Sequence, residues 1–117
     1  MDEISKNRLL DMREYAAKAV RYIEDVSYED FCRDEIKNLA VSRLVEIVGE
    51  AATHVRPEVR DRFEGIPWKK IIGARVILAH AYMRIDLRTI YEVASDYLPK
   101  LIEQLDKILG NEHDHDT

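Results

Sequence analysis

The sequence predicts an all-α fold: an up-and-down helical bundle of four main helices, the last one kinked at Pro99, plus a short helix near residues 57–63. Three observations predict it. Apolar residues recur in steps of three and four along most of the 117 residues, the period of an amphipathic helix. No segment alternates with period two over a useful length, as a half-buried strand would. Gly and Pro number only four and three, while 46% of residues are hydrophobic and 35% charged, against roughly 25% charged in an average globular chain. Long helices with a real core and charged outer faces suit that composition, and the length suits one domain.

The first helix is expected from about Ser5 to Asp25. Leu9, Met12, Ala16, Ala19, Ile23 and Val26 follow one another on a single stripe, regular enough for coiled-coil-like packing within the chain or against a second copy. The second starts after Ser27, where Ser27 and Asp30 imitate a capping box with a shorter acid, and runs to about Val55. Val41, Leu44, Val48, Ala51 and Val55 line its inner face, and Gly49 inside it costs about 1 kcal/mol relative to Ala unless a neighbouring helix approaches closely. Pro57 suits the first turn of the short helix, which ends near Phe63. Gly65-Ile66-Pro67 then breaks the chain.

The third long helix is expected from about Trp68 to Met83. Asp86 can cap the fourth, which carries Leu87, Ile90, Ala94, Tyr97, Leu101, Leu105 and Ile108 on one face. Pro99 lies inside that pattern and should kink the helix or restart it, with Ser95 or Asp96 capping the second piece. Gly110-Asn111 is the expected stop. With no repeat and no low-complexity linker, residues 1–110 read as one helical domain and residues 111–117 as a flexible tail.

Several function classes find no support. Cys32 stands alone, so it forms no internal disulfide, and its apolar surroundings suggest a passive buried thiol. Met1 to Lys6 lack the cationic start and apolar stretch of a signal peptide. The longest apolar run, Ile71 to Met83, is interrupted by Arg75 and His80 and is too short to span a bilayer, so the expected location is the cytoplasm, with no membrane partner. There is no Gly-rich phosphate loop, no Cys-x-x-Cys and no nucleophile elbow, and the short His113-Asp114-His115-Asp116 run is not a metal site. No metal or other cofactor is expected. His54 reads as a cap or a solvated residue, Trp68 as packing, and Tyr22, Tyr28, Tyr91 and Tyr97 as edges of the core.

Net charge is −5, which argues against nucleic acid unless the cations are local. Lys69, Lys70, Arg75, Arg84 and Arg88 do fall within one stretch of 20 residues, as either a binding patch or a solvated face.

Between Ile71 and Ala81 every residue is apolar or small except Arg75 and His80. A helix apolar on all sides is normally buried, and an unpartnered buried guanidinium is very costly. Arg75 therefore either pairs with an acid such as Glu46 or Glu50, or lines a cleft or interface where its charge is useful. His80, with an ordinary pKa of about 6.5, both gives and takes protons near neutrality. Cleaving RNA through its 2′-hydroxyl needs that proton transfer and a cation for the crowded phosphate, so Arg75 and His80 are a candidate catalytic pair. Five residues at about 100° each set them about 140° apart on an ideal helix, whereas Arg75 and Tyr82 share a face. A loosened helix near His80, or a second subunit, would bring the pair together.

Arg75-Val76-Ile77-Leu78-Ala79-His80-Ala81-Tyr82 matches the Arg-x4-His-x-Tyr signature of HepT-like toxins, a branch of the HEPN superfamily of helical ribonucleases. The stretches 45–52, 66–73 and 96–101 also resemble the family's segments, so the likeness extends from about Phe31 onward. The resemblance implies a metal-independent endoribonuclease toxin that forms a homodimer, with Arg75 on the scissile phosphate of RNA (tRNA or mRNA) and His80 in proton transfer. It implies a minimal nucleotidyltransferase antitoxin as partner, which can transfer AMP to the motif tyrosine, here Tyr82. Lys69, Lys70 and Arg84 would be RNA-contacting. The sequence departs from the family at Val76, where a polar residue, commonly Asn, follows the motif arginine. That departure and the acidic charge keep an alternative open: a non-catalytic helical binding or regulatory subunit of a nucleotidyltransferase. A third reading is a plain helical dimer whose polar residues fix register.

Overall fold

In the computed structural model, the backbone is described for residues 1–80 and 86–116, and the side chains for residues 1–74 and 86–110. Every regular element among them is helical, and the expected all-α bundle is what forms. Helix α1 (Glu3–Ile23) begins two residues earlier than expected, because the Asp2 carboxylate accepts the Ser5 N–H at 2.8 Å and caps it. The stripe Leu9, Met12, Ala16, Ala19 and Ile23 is buried as expected. Just beyond the helix, Asp25 adopts φ +60°, a left-handed conformation that Asp tolerates better than most residues.

The single helix expected from Ser27 to Val55 is two. Ser27 does cap the first, accepting the Asp30 N–H at 3.1 Å, but α2 covers only Tyr28–Arg33. Asp34 leaves helical geometry (φ −95°, ψ 88°), and its side chain accepts the Lys37 N–H at 3.0 Å to start α3 (Glu35–Thr53). The break is stabilised from inside. Buried Asn38 donates its amide to the carbonyls of Phe31 and Cys32, at 3.2 and 3.4 Å, partnering carbonyls that a terminating helix leaves without intrahelical donors. On α3, Val41, Val48 and Ala51 are buried, Leu44 is half-buried, and Val45 and Ala52 complete the inner face. Gly49 is buried on the same helix, which packs against both α1 and α5.

Helix α4 (Pro57–Arg62) has Pro57 in its first turn and ends at Phe63, as expected. Its entry is tied to α1 by the Arg56 N–H, which donates to the buried Ser5 hydroxyl at 3.1 Å. Helix α5 (Trp68–His80) follows the Gly65-Ile66-Pro67 break, and α6 (Leu87–Glu92) starts at Asp86, which caps it as expected. The continuation of the third helix to Met83 lies outside the described residues.

At Pro99 the helix does not restart, and neither Ser95 nor Asp96 caps a new helix. A π-helical turn (Val93–Tyr97) instead joins α6 to α7 (Leu98–Asp116) without a break, and the Leu98 N–H donates to the Val93 carbonyl, five residues back. Proline has no N–H to give, and its ring clashes with the carbonyl four residues earlier. Widening the preceding turn moves the hydrogen bonds to a five-residue step and accommodates the ring within the new helix's first turn. The expected stop at Gly110-Asn111 is also passed: α7 continues to Asp116, and Gly110 does not take the positive φ that ends helices at glycine.

The core sits where α1 packs against α3 and α7, and extends to α5 through α3. Phe31, Leu98, Leu101 and Leu105 are wholly buried, each worth about 1.5–3 kcal/mol relative to exposure. No helix among the described residues is long and apolar enough to cross a membrane.

Candidate functional site

The site expected from the sequence lies along α5 and just beyond it. Lys69 and Lys70 stand exposed in its first turn, while Ile71 and Ala74 face inward and are buried. Arg75 and His80 fall on the last part of the same helix, which remains α-helical as far as His80. Their Cα positions are therefore about 140° apart around the axis, and the helix does not loosen before His80. The side chains of Arg75 and His80 lie outside the described residues, as do Tyr82 and Arg84 altogether.

The acids weighed as partners for Arg75 have neighbours of their own. Glu46 forms an ion pair with Arg43 at 3.1 Å, and Glu50 meets the His54 ring at 3.3 Å. His54 is the C-terminal cap of α3 and is exposed, the cap role expected for it.

Two grooves open beside the first turn of α5, and Lys69 and Lys70 line both. The larger, about 570 Å³, runs between α4 and α5 past Arg60, Asp61, Glu64 and Trp68. Trp68 is packed against the core, and its indole N–H donates to the Phe63 carbonyl at 3.1 Å, so it serves the packing role expected. The Arg60 Nε in this groove is buried with no hydrogen-bond partner among the described residues.

The second groove, about 350 Å³, lies between α5 and the α6–π-turn segment. Gly73 and Ala74 contribute from one side, Thr89, Glu92 and Tyr97 from the other. The Lys70 ammonium rests 5.7 Å from the centre of the Tyr97 ring. Tyr97 was expected at the edge of the core, and it is half-buried there, but it also faces this groove. Glu92 and Thr89 were not singled out by sequence. The only signal available was their spacing from Tyr97 across the turn before Pro99, which an ideal helix would have phased differently.

Around α6, side-chain contacts hold the helix start in place. Asp86 accepts from both the Thr89 N–H (3.1 Å) and the Thr89 hydroxyl (2.7 Å). These hydrogen bonds hold its carboxyl below the ordinary carboxylate value, the hydroxyl contributing most. Arg88, counted among the clustered cations, lays its guanidinium 4.4 Å from the centre of the Tyr28 ring. Tyr28 and Phe31 in turn pack on Tyr91 at 5.5 and 5.4 Å. Tyr22 departs from the core-edge expectation and is 49% exposed, and Cys32 is half-buried rather than buried. Among the described residues no three His, Cys, Asp or Glu side chains gather as a metal ion would require.

Comparison with known proteins gives a consistent picture. The sequence model of one family, described as ribonuclease HepT-like, matches residues 12–108. The protein "Putative RNase MJ1380" of Methanocaldococcus jannaschii is 31% identical over 98 residues, covering 84% of this chain and 90% of that one. "Putative RNase TTE0752" of Caldanaerobacter subterraneus is 34% identical over 93 residues, covering 80% and 83%. "Probable ribonuclease HepT" of Thermococcus cleftensis is 28% identical over 108 residues, covering 92% and 98%. No solved structure matches the chain.

Proposed function

The chain belongs to the HepT-like ribonuclease family, and from that premise we propose that it is an RNA-cleaving enzyme acting as the toxin of a toxin–antitoxin pair. The observation that carries the reading is the family match over residues 12–108, which encloses Arg75, His80 and Tyr82 at the Arg-x4-His-x-Tyr spacing.

Arg75 neutralises the scissile phosphate, on which charge accumulates as the 2′-oxygen attacks phosphorus. His80 transfers the proton, taking it from the 2′-hydroxyl or giving it to the departing 5′-oxygen. Since α5 is helical to His80, the two residues of one chain sit on different sides of its backbone, and a homodimer lets Arg75 of one subunit meet His80 of the other. Lys69 and Lys70, exposed one to two turns before Arg75, with Arg84 beyond the motif, supply the local positive charge that a chain of net charge −5 needs for RNA.

Control falls to Tyr82. A nucleotidyltransferase antitoxin would join its hydroxyl to the α-phosphorus of ATP, with pyrophosphate leaving. The AMP group adds bulk and a negative charge seven residues from Arg75, competing with RNA phosphate for that cation.

The test is cleavage of total tRNA and a generic RNA in EDTA by wild type and His80→Ala, both confirmed by mass to carry no adduct. Cleavage that survives EDTA and disappears in the variant supports the reading, and cleavage retained by His80→Ala overturns it. Val76 and the acidic charge favour one other reading, a non-catalytic subunit that docks a nucleotidyltransferase. Absence of cleavage by unmodified wild type, with tight binding to that enzyme, would favour it.

A further inference from the structure

The groove between α5 and the π-helical turn has the makings of a binding site. Its volume of about 350 Å³ falls in the range of small-molecule sites, roughly 300–1,000 Å³. Tyr97 is half-buried, so its ring is held in place on one side by the core while the groove opens on the other. Lys70 already uses that ring, with its ammonium 5.7 Å from the centroid. Neither Lys69 nor Lys70 forms an ion pair among the described residues. The floor is empty at Gly73, where an added Cβ would meet no atom within 4 Å. Gly73 and His80 are seven residues apart on one α-helix, which places them on the same side of the α5 backbone.

Charge orients the occupant. Glu92 stands on the α6 side and Lys69 and Lys70 on the α5 side. A phosphate is repelled by the first and attracted by the second, whereas a carboxylate accepts hydrogen bonds from the exocyclic amine of a base. An aromatic ring flanked by cations is the arrangement that holds single-stranded nucleic acid, because every base has a π-face. The π-helical turn is what phases Tyr97 relative to Glu92 across this groove.

We infer that the α5–π-turn groove is a subsite for one unpaired base of single-stranded RNA, stacked on Tyr97, with its neighbouring phosphate on Lys69 and Lys70. The subsite positions substrate along the helix face that leads to His80, and it rests on the ribonuclease reading for its purpose. Tyr97 and Lys70 are binding residues here, and the chemistry stays with the motif.

The experiment uses the full chain and a fluorescent single-stranded octamer with 2′-O-methyl groups, which is not cleaved, followed by anisotropy in EDTA. A series of octamers carries one abasic position each. Wild type should show one position at which loss of the base weakens binding about tenfold. Gly73→Leu, which fills the groove while improving helix propensity, and Tyr97→Leu should each lose about tenfold in affinity and abolish that positional penalty. On the cleavable RNA they should raise KM far more than they lower kcat. Should Tyr97→Leu fail to fold, Gly73→Leu decides. Folded variants with wild-type affinity and an unchanged abasic profile would overturn the subsite while leaving cleavage intact. Wild type that binds at the groove but cleaves nothing would overturn the ribonuclease reading and keep the subsite. No binding of the octamer by wild type would overturn the subsite outright.

Discussion

Tyr91 donates its phenolic hydrogen to the main-chain carbonyl of Val26 at 2.6 Å, across 65 positions of sequence. The bond joins α6, the first element after the motif, to the connection between α1 and α2. Phe31 and Tyr28 pack against the same ring, so the hydroxyl and the ring act together. Tyr91→Phe keeps the ring and removes only the bond. It should lower unfolding stability by about 1 kcal/mol, more if the Val26 carbonyl finds no water in its place. Urea titration of the two proteins measures it as a shift in midpoint at constant slope.

Asp86 gives a pH-dependent version of the same anchoring. Its carboxyl is held below its ordinary value by the Thr89 hydroxyl and N–H. A carboxyl with a lower folded than unfolded pKa stabilises above the unfolded value, about 3.9, and that stabilisation is lost as pH falls through the folded value. Asp86→Ala should cost about 0.5–2 kcal/mol near neutrality as a lost cap, and the gap to wild type should narrow as pH falls through the lowered folded value. Asp86→Asn, an equally good cap, should keep most of the neutral stability and lose the pH dependence. Thermal melts from pH 2 to 7 separate these outcomes; parallel curves for Ala and wild type would contradict the assignment.

Gly110 lies inside α7 without a positive φ, and a Cβ there would meet no atom within 4 Å. Gly110→Ala should therefore stabilise, by up to about 1 kcal/mol. Had the helix ended at Gly110 in a left-handed cap, the same change would destabilise, so the sign of the shift in melting temperature tests where α7 stops.

Arg13 and Asp106 tie α1 to α7 by an ion pair in which both side chains are more than two-fifths exposed. The Asp106 carboxylate raises the Arg13 pKa, chiefly through their hydrogen bond. Solvent screens such a pair, so a double-mutant cycle with Arg13→Gln and Asp106→Asn should give a coupling of no more than about 1 kcal/mol that shrinks in high salt.

Tyr82→Phe tests whether catalysis and control are separate at the motif. If the motif tyrosine is the acceptor of AMP, the variant should cleave RNA at close to the wild-type rate and stay active when incubated with the nucleotidyltransferase and ATP. Wild type should lose activity and gain the mass of one AMP. A Tyr82→Phe protein silenced with that mass gain would place the acceptor elsewhere.

Much of the bundle was legible because burial leaves a periodic trace. The stripe on α1, the Pro57 start, the Asp86 cap and the core run Leu101, Leu105 and Ile108 all follow from spacing and residue type. The break at Asp34 was hidden, since apolar residues continue on both sides of it. Its markers are polar: an aspartate in cap position and an asparagine whose amide reaches back to Phe31 and Cys32. The turn before Pro99 was hidden for another reason. A proline in a helical pattern shows that something must give, but not whether the chain bends, restarts or widens. The candidate catalytic residues were chosen by chemistry, as the two ionisable groups in an apolar helix. The groove was not visible, because Glu92 and Tyr97 come to line it together with Lys70 through that widened turn.

The widened turn also acts as a phase element. A π-helical turn carries its residues at a different angular step from the helices on either side, so α6 and α7 are held at a fixed rotational offset. Inserting one further residue beside Ser95 would turn everything downstream by about 100°. Leu98, Leu101 and Leu105 would swing away from α1, and Tyr97 would leave the groove in the same motion. Length in this stretch is thus coupled to both the core and the proposed base subsite, so a one-residue insertion there is a frame error in three dimensions that no side-chain substitution repairs.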